Sequence, residues 1–190
     1  MAAPRFAGLL SSRSASLDDV LDVLRAGRTF DLSDGTGADH GLLDHSLQTA
    51  ELLRSSHPDD LALQVAGLVH DIGHMLPPHR DDAHADVAAV FVRPVFGDRI
   101  AELVRLHVPA KRYLVTTDPD YRAGLHRGSV ISLGQQGGDM SCPEITAFEA
   151  EPLFGDATAL RRADEAGKVP GLDVPGLETW LATLQSQQLR

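Results

Sequence analysis

A histidine and an aspartate that are adjacent in the sequence, His70 and Asp71, are the first candidates for chemistry. They follow the apolar segment 65–69, which has the character of a buried helix. A charged group at the end of a buried helix is costly unless something pairs with it. A metal ion is a suitable partner, because imidazole and carboxylate groups both bind transition metals. The doublet alone fits a helix end as well as a metal site, since Asp71 could cap backbone groups and His70 could be a core residue.

Other metal-capable side chains occur along the chain at separate places. In order they are His45, His70, Asp71, His84, His107 and Asp164. Adjacent helical residues lie about 100° apart, so Asp71 could face a different point from His70 and bridge two ions. His74 would share a face with His70 if the helix continued past Gly73. Six nitrogen and oxygen donors exceed the needs of one zinc site and suit two ions with open positions.

The elements that must position these residues are predicted from helical periodicity and helix-breaking residues. The predicted helices are 17–27, 42–55, 59–71, 81–94, 98–107, 157–166 and 177–184, with a short one from Pro143. Pro94 should limit the fourth helix, and Pro109 should bend or end the fifth. The second half is less regular, and no helix is predicted over 129–138. Because alternating strand patterns are almost absent, we predict an all-α bundle of about seven to nine helices.

Composition limits the partners of the protein. Its 190 residues, 43% of them hydrophobic, suit one domain over 1–190 with a core at about 40–185. A net charge of −10 argues against nucleic acid and anionic membranes but allows a small anionic substrate. The single cysteine excludes an internal disulfide and favours a cytoplasmic location. No apolar run reaches transmembrane length, and the sequence is silent on whether the protein is a monomer or a dimer.

The order His45, His70-Asp71, Asp164 resembles the HD-domain superfamily, whose members are all-α bundles and in many cases metal-dependent phosphohydrolases. Further segments are similar to the HD-domain oxygenases of organophosphonate breakdown, the PhnZ type, which are related to myo-inositol oxygenase. These segments are Leu43-Asp44-His45-Ser46-Leu47-Gln48, His107-Val108-Pro109-Ala110-Lys111-Arg112-Tyr113-Leu114-Val115, Gln136-Gly137-Gly138-Asp139-Met140, Arg162-Ala163-Asp164-Glu165-Ala166-Gly167-Lys168 and Val174-Pro175-Gly176. They span roughly residues 42–180, which is nearly the whole chain.

The resemblance implies a mixed-valent Fe(II)/Fe(III) oxygenase with O2 as co-substrate. It implies a 1-hydroxyalkylphosphonate as substrate, whose hydroxyl and one phosphonate oxygen bind one iron while O2 binds the other. Oxygen insertion would then break the C–P bond and give phosphate and a carboxylic acid. Carried over by residue, one iron would be held by His45, His70, Asp71 and Asp164, with Asp71 as bridge, and the other by His84 and His107.

Lys111 follows His107 by four residues and would bring a cation beside the second iron, where a phosphonate dianion needs pairing. The alternative for Lys111 is a solvated surface lysine. The resemblance also marks positions that donate to the phosphonate, which here are His74, Ser129, Ser132 and Gln136. Helix capping and turn formation are the alternatives for the two serines. Lys111 and His74 are the candidate catalytic residues.

The loop ahead of His45 departs from the aminophosphonate-cleaving members, which carry a tyrosine and a glutamate there. Residues 31–40 contain neither. Asp34 or Asp39 could replace the carboxylate, and His40 could approach the iron. The alternative is a substrate without an amine. The substrate could therefore carry an amino or trimethylammonio group, or neither.

Two other functions compete with the oxygenase. One is an HD-type phosphohydrolase of a nucleotide or phosphate ester, which would not need His84, His107 and Lys111. The other is a catalytically inactive metal-binding module, which the complete set of six candidate ligands disfavours.

Overall fold

The computed structural model describes residues 14–30 and 41–189. Within these ranges the regular structure is helical, apart from one isolated bridge at Gly41, which confirms the predicted all-α class. The helices are α1 Leu17–Ala26, α2 Leu42–Ser56, α3 Leu61–Val69, α4 His84–Thr117, α5 Pro119–Ala123, α6 Arg127–Gln135, α7 Cys142–Glu149, α8 Phe154–Ala166 and α9 Leu181–Gln187. Short 3-10 helices are Gly27–Thr29, Ile72–Met75 and Leu177–Trp180. Among the described helices, none has the length and apolar character needed to cross a membrane.

Side-chain caps begin two of the predicted helices. Ser16 Oγ accepts from the Asp19 N–H, while the Asp19 carboxylate accepts from the Ser16 N–H at 2.8 Å, which is a reciprocal capping box. Asp60 Oδ1 accepts from the Leu63 N–H at 3.0 Å at the start of α3. Acidic residues at these positions also interact favourably with the helix dipole.

Helix α4 tests the expectations about its two prolines. Pro94 lies inside the helix, and the chain leaves helical geometry three residues later at Gly97, where φ is 80° and ψ is −175°. Glycine adopts this backbone conformation without the cost that a side chain adds. Pro109 does not end the helix, which continues to Thr117. Buried Leu106, Ala110 and Leu114 on this segment offset the one hydrogen bond that proline removes.

The core is formed mainly by α2, α3, α4 and α8. All residues of α3 from Leu63 to Val69 are buried, and full burial of each large aliphatic side chain contributes about 1.5–3 kcal/mol. Helix α1 adds Val20 and Leu24 to the same core. The end of α3 is therefore fixed on all sides, and it carries the His70-Asp71 doublet.

A helix over 127–135 was not predicted. This helix, α6, contains Gly128 and Gly134, which disfavour helix formation, and its apolar residues Val130 and Ile131 are exposed. Its sequence therefore lacks the amphipathic pattern that predicts a surface helix.

Candidate metal centre

Four histidine side chains are oriented by the same kind of hydrogen bond. In each, Nδ1 forms a hydrogen bond with a backbone carbonyl oxygen. The bonds are His45 to Gly167 at 3.0 Å, His70 to Gly67 at 2.8 Å, His84 to Asp81 at 2.5 Å and His107 to Val104 at 2.6 Å. A carbonyl can only accept, so Nδ1 carries the proton in each ring. In the neutral ring each Nε2 is then left with a lone pair, and this arrangement is common for histidines that bind metals.

The four Nε2 atoms meet in two pairs. His45 Nε2 lies 3.3 Å from His70 Nε2, and His84 Nε2 lies 2.9 Å from His107 Nε2. Two lone pairs at this distance repel each other unless a positive charge lies between them. Two nitrogens bound to one ion at about 2.1 Å, at a right angle, would be about 3 Å apart. The spacing of both pairs therefore fits a shared cation.

Asp71 lies between the two histidine pairs. Its Oδ2 is 3.5 Å from His45 Nε2 and 3.3 Å from His70 Nε2. Its Oδ1 is 3.4 Å from His84 Nε2 and 3.5 Å from His107 Nε2. One carboxylate oxygen thus faces each pair, as in a carboxylate that bridges two ions. Two overlapping groups of metal-capable residues share Asp71.

Asp164, on α8, adds a second carboxylate to the first pair. Its Oδ1 lies 3.3 Å from His45 Nε2, and its Oδ2 lies 3.8 Å from His70 Nε2. Lys168 Nζ binds the same carboxylate at 2.9 Å, and Arg161 also binds it. The first position therefore has two imidazoles and two carboxylates, while the second has two imidazoles and Asp71.

The charges of the centre favour a bound cation. Burial opposes the charged form of His70, but the neighbouring Asp71 and Asp164 outweigh it and raise the His70 pKa to about 10. Burial also opposes the charge on Asp71, yet His70 and the other imidazoles hold its pKa well below the usual range. Burial and the charges of His84 and His70 hold the pKa of His107 well below its usual range. The second pair thus cannot carry two protons, although one cation could bind to both rings.

His74 lies at the edge of the second position. Its ring stacks on His84, with 4.0 Å between centroids and 14° between planes. Its Nε2 lies 3.8 Å from Asp71 Oδ1, and its Nδ1 lies 3.8 Å from Asp81 Oδ1. Gly73 makes this approach possible, because a Cβ there would lie 1.9 Å from the carbonyl oxygen of His84. Burial and the charge of His84 lower the His74 pKa to about 4, so the ring is neutral near pH 7.

Lys111 is brought together with Ser132 and Gln136. Its Nζ donates to Ser132 Oγ at 2.5 Å and to Gln136 Oε1 at 2.9 Å, and the side chain is 3% exposed. Among the described residues its hydrogen-bond partners are neutral groups. Burial and nearby Arg161 lower its pKa to about 7. Gln136 Nε2 donates onward to Asp81 Oδ2 at 3.4 Å. A buried cation without a bound anion is the feature expected of a site for an anionic ligand.

Comparison with known proteins finds a matching domain family and two relatives that are named as phosphonate dioxygenases. A family model for the HD domain matches residues 42–135. The chain is 40% identical over 153 residues to hydroxymethylphosphonate dioxygenase of Gimesia maris, which covers 76% of each chain. It is 34% identical over 143 residues to a 1-hydroxy-2-(trimethylamino)ethylphosphonate dioxygenase (glycine-betaine-forming) of Leisingera caerulea, covering 70% of this chain and 72% of that protein. The chain belongs to the HD-domain oxygenases of the PhnZ type.

A further relative of this HD-domain oxygenase carries no described activity. It is an uncharacterized protein of Acanthamoeba polyphaga mimivirus, 30% identical over 173 residues that make up 85% of this chain and 78% of that protein. The HD-domain match ends at residue 135, so it includes His45 to His107 but not Asp164. The geometry of α8 is what connects Asp164 to the centre.

Ser129 lies in a different environment from Lys111 in this HD-domain oxygenase. Its Oγ donates to Glu165 Oε2 at 2.7 Å and lies 3.1 Å from Lys168 Nζ. Its predicted contact with the phosphonate stays a prediction. Asp34, Asp39 and His40, the candidates for meeting an amine or the iron, lie outside the described residues.

Sequence reasoning missed several buried polar residues around the centre. Arg161 and Glu165 on α8, together with Lys168 just after its end, surround Asp164, and Arg161 Nε donates to Tyr121 Oη at 2.6 Å. The spacing of 161, 164 and 165 places these three on one helix face, and a lysine follows at 168, so this pattern could have indicated an ion cluster. Asp81 had no such signal, because a loop turns it towards His74.

Proposed function

We propose that this protein is an oxygenase that uses O2 to cleave the C–P bond of a 1-hydroxyalkylphosphonate. The substrate R–CH(OH)–PO3(2−) and O2 would give R–COO(−), HPO4(2−) and a proton, so both oxygen atoms of O2 enter the products. The observation that carries the proposal is the position of Asp71 between two histidine pairs. The buried cation of Lys111 adds a place for an anionic group, and its partner Gln136 also bonds to Asp81, which faces His74. The names of two relatives, both phosphonate dioxygenases, support the same reaction.

We infer that the two cation positions hold iron. Four imidazoles and two carboxylates form a mixed nitrogen and oxygen donor set, which suits redox-active iron. Magnesium instead prefers a set of oxygen ligands alone. His45, His70, Asp71 and Asp164 would hold one ion, and Asp71, His84 and His107 the other. The substrate supplies the four electrons that reduce O2, and an Fe(II)/Fe(III) pair would supply the redox chemistry that lets O2 react with it.

The phosphonate group is assigned to the pocket of Lys111. The ammonium group pairs with the dianion, while the Ser132 hydroxyl and the Gln136 amide donate to its oxygens. In this structure both Ser132 and Gln136 contact Lys111. A bound phosphonate oxygen would replace part of these contacts. The low exposure of Lys111 keeps water from competing for the phosphonate.

His74 is assigned to the C1 hydroxyl of the substrate. The pKa of about 4 keeps its ring neutral at pH 7, so one nitrogen donates and the other accepts. Nδ1 faces Asp81 and Nε2 faces Asp71, each at 3.8 Å, so neither nitrogen is hydrogen-bonded to these carboxylates and a ring nitrogen could bond to the C1 hydroxyl. This assignment fixes the orientation of C1 between the metal centre and the pocket of Lys111.

The deciding experiment measures phosphate release from the iron-loaded protein with and without O2. Hydroxymethylphosphonate and its amino- and trimethylammonio-substituted 1-hydroxyethyl relatives are the test substrates. We expect phosphate and consumed O2 in a ratio of about one to one. The preferred substituent then tells whether residues 31–40, which lack tyrosine and glutamate, serve an amine. Absence of O2-dependent phosphate from all three compounds would contradict the proposal.

A phosphohydrolase is the second candidate, because His45, His70, Asp71 and Asp164 alone form a site of hydrolytic type. It predicts phosphate release from a nucleotide or aryl phosphate in the absence of O2. It also predicts that His84→Ala preserves turnover, whereas the oxygenase requires both positions. We further propose that the chain forms one HD domain; its cytoplasmic location and a monomeric or dimeric state stay predictions.

A further inference from the structure

Helix α6 carries residues of the proposed phosphonate pocket but has little apolar contact of its own. Of its nine residues, all of which the structure describes, only Ser129 is buried. Val130 and Ile131 are 53% and 49% exposed. Two glycines lower its intrinsic helix propensity. Leu133 is half-buried against Leu114, Val115 and Tyr121, and polar contacts with other helices must supply the rest of what holds α6 in place.

Glu165 on α8 supplies such contacts at the first turn of α6. Its Oε1 accepts from the His126 N–H at 2.6 Å, and its Oε2 accepts from Ser129 Oγ at 2.7 Å. His126 is the N-cap residue of α6, so the carboxylate also lies at the positive end of the helix dipole. Arg161 and Lys168, the latter at 3.0 Å, fix the same carboxylate from the α8 side.

The hydroxyl of Ser129 has one proton, and the structure directs it to Glu165. The nearest other charged group is Lys168 Nζ, 3.1 Å from Oγ, and it can only donate to this oxygen. In this structure the proton of Ser129 is therefore directed to α8. Ser132, one turn later, accepts from Lys111 Nζ, and its own hydroxyl points to the Ser129 carbonyl oxygen at 3.4 Å.

We propose that Glu165 and Ser129 form a clasp that fixes α6 against α8 and so places Ser132 and Gln136 around the phosphonate. Glu165 is then a positioning residue, and the main partner of Ser129 is Glu165 rather than the substrate. The identity of the ligand rests on the proposed function, whereas the clasp itself does not.

Hydrogen exchange of the metal-loaded protein without phosphonate tests the clasp. The variants are Ser129→Ala, Glu165→Gln and the double variant. Ser129→Ala leaves the ion pairs of Glu165 intact, so it tests the clasp even if Glu165→Gln folds poorly. We expect each single change to speed exchange of the amides at 131–135 about tenfold, and those of α3 to stay unchanged. Because both changes break the same bond, the double variant should exchange no faster than the faster single variant.

Two matched controls remove the same groups elsewhere. Ser186→Ala deletes an exposed hydroxyl that bonds within α9, and Glu178→Gln neutralises an exposed carboxylate. Neither should change exchange in α6. Unchanged α6 exchange in Ser129→Ala, or effects of the two changes that add in full, would overturn the clasp.

Steady-state kinetics then connects the clasp to the substrate. Both single variants should raise the KM for the phosphonate about tenfold with a smaller change in kcat, and should keep the metal content of the unaltered protein. An unchanged KM would contradict the positioning role. If the unaltered protein releases no phosphate from phosphonates, the proposed function fails, while the exchange experiment still decides the clasp.

Discussion

Helices α3 and α6 have the same length, nine residues, and each delivers residues to the candidate site, yet different forces hold them in place. In α3 every residue from Leu63 to Val69 is buried, and Asp60 caps its first turn. In α6 only Ser129 is buried, and its first turn depends on a carboxylate from α8. Helix α3 is held mainly by apolar packing, whereas α6 combines the packing of one apolar side chain, Leu133, with polar bonds.

The two helices therefore serve different functions in the candidate site: α3 positions metal-capable side chains, and α6 lines the proposed pocket for the anion. A metal centre needs donors that are fixed to within a fraction of an ångström, and the packed end of α3 provides them. A pocket for a small anion tolerates more movement, and net contributions of about 1 kcal/mol per hydrogen bond allow α6 to shift. Changes at the end of α3 should therefore affect metal binding and folding, whereas changes in α6 should affect KM.

The largest effect is expected from Asp71→Ala. Without the shared carboxylate, both histidine pairs lose a ligand and the negative charge that attracts a cation. We expect the unaltered protein to bind about two irons per chain. The variant should bind much less iron and should lose O2-dependent phosphate release. Metal analysis after anaerobic loading measures this. Asp82→Ala, which removes an exposed carboxylate paired with Arg80, is the control. Retention of both irons in Asp71→Ala would refute the bridging role.

Gly73→Ala should cause the next largest effect, on folding. The new Cβ would lie 1.9 Å from the carbonyl oxygen of His84 and 2.7 Å from its carbonyl carbon, which are backbone atoms of a packed helix. We expect a loss of about 3 kcal/mol in the free energy of unfolding, measured by denaturant titration. Gly155→Ala is the matched control, since nothing lies within 4 Å of its Cβ position. Similar stability of both variants would show that the turn after α3 is less rigid than its packing implies.

The same contrast explains what the sequence could predict. An apolar run followed by His70-Asp71 indicated α3 and the candidate metal ligands at its end, because burial leaves a periodic pattern. The four histidine positions and Asp164 were predicted, and the structure brings their donor atoms together. Helix α6 was missed, because it has little amphipathic pattern and its contact with Glu165 spans 36 residues of sequence. Gly97, rather than Pro94, breaks α4, since the chain there has φ of 80°, which glycine adopts without the cost that a side chain adds.

Lys111 allows a test on the α6 side through pH. Burial and the charges of Arg161 and Lys168 lower its pKa to about 7, against the raising effect of Asp164 and Glu165. The charged form is therefore lost as pH rises above about 7, and with it the attraction for the phosphonate. We expect KM to rise by at least about tenfold between pH 7 and pH 9, with a smaller change in kcat.

Two variants of Lys111 serve as controls for this pH dependence. Lys111→Ala should raise KM about tenfold to a hundredfold at pH 7 and remove the dependence. Lys111→Arg keeps its charge over this range and should show a flat KM. If the KM of the unaltered protein is equal at pH 7 and pH 9, Lys111 does not pair with the phosphonate.

The smallest effect should come from strengthening α6 itself. Gly134 lies in the last turn of this helix, and nothing lies within 4 Å of its Cβ position. Gly134→Ala should therefore stabilise the helix by about 0.5–1 kcal/mol through helix propensity alone. Amides of α6 should exchange about two- to fivefold more slowly, and combining this change with Ser129→Ala should recover part of the lost protection. If exchange in α6 instead stays unchanged, intrinsic propensity does not limit this helix, and the contrast with α3 then rests on the bonds to Glu165 alone.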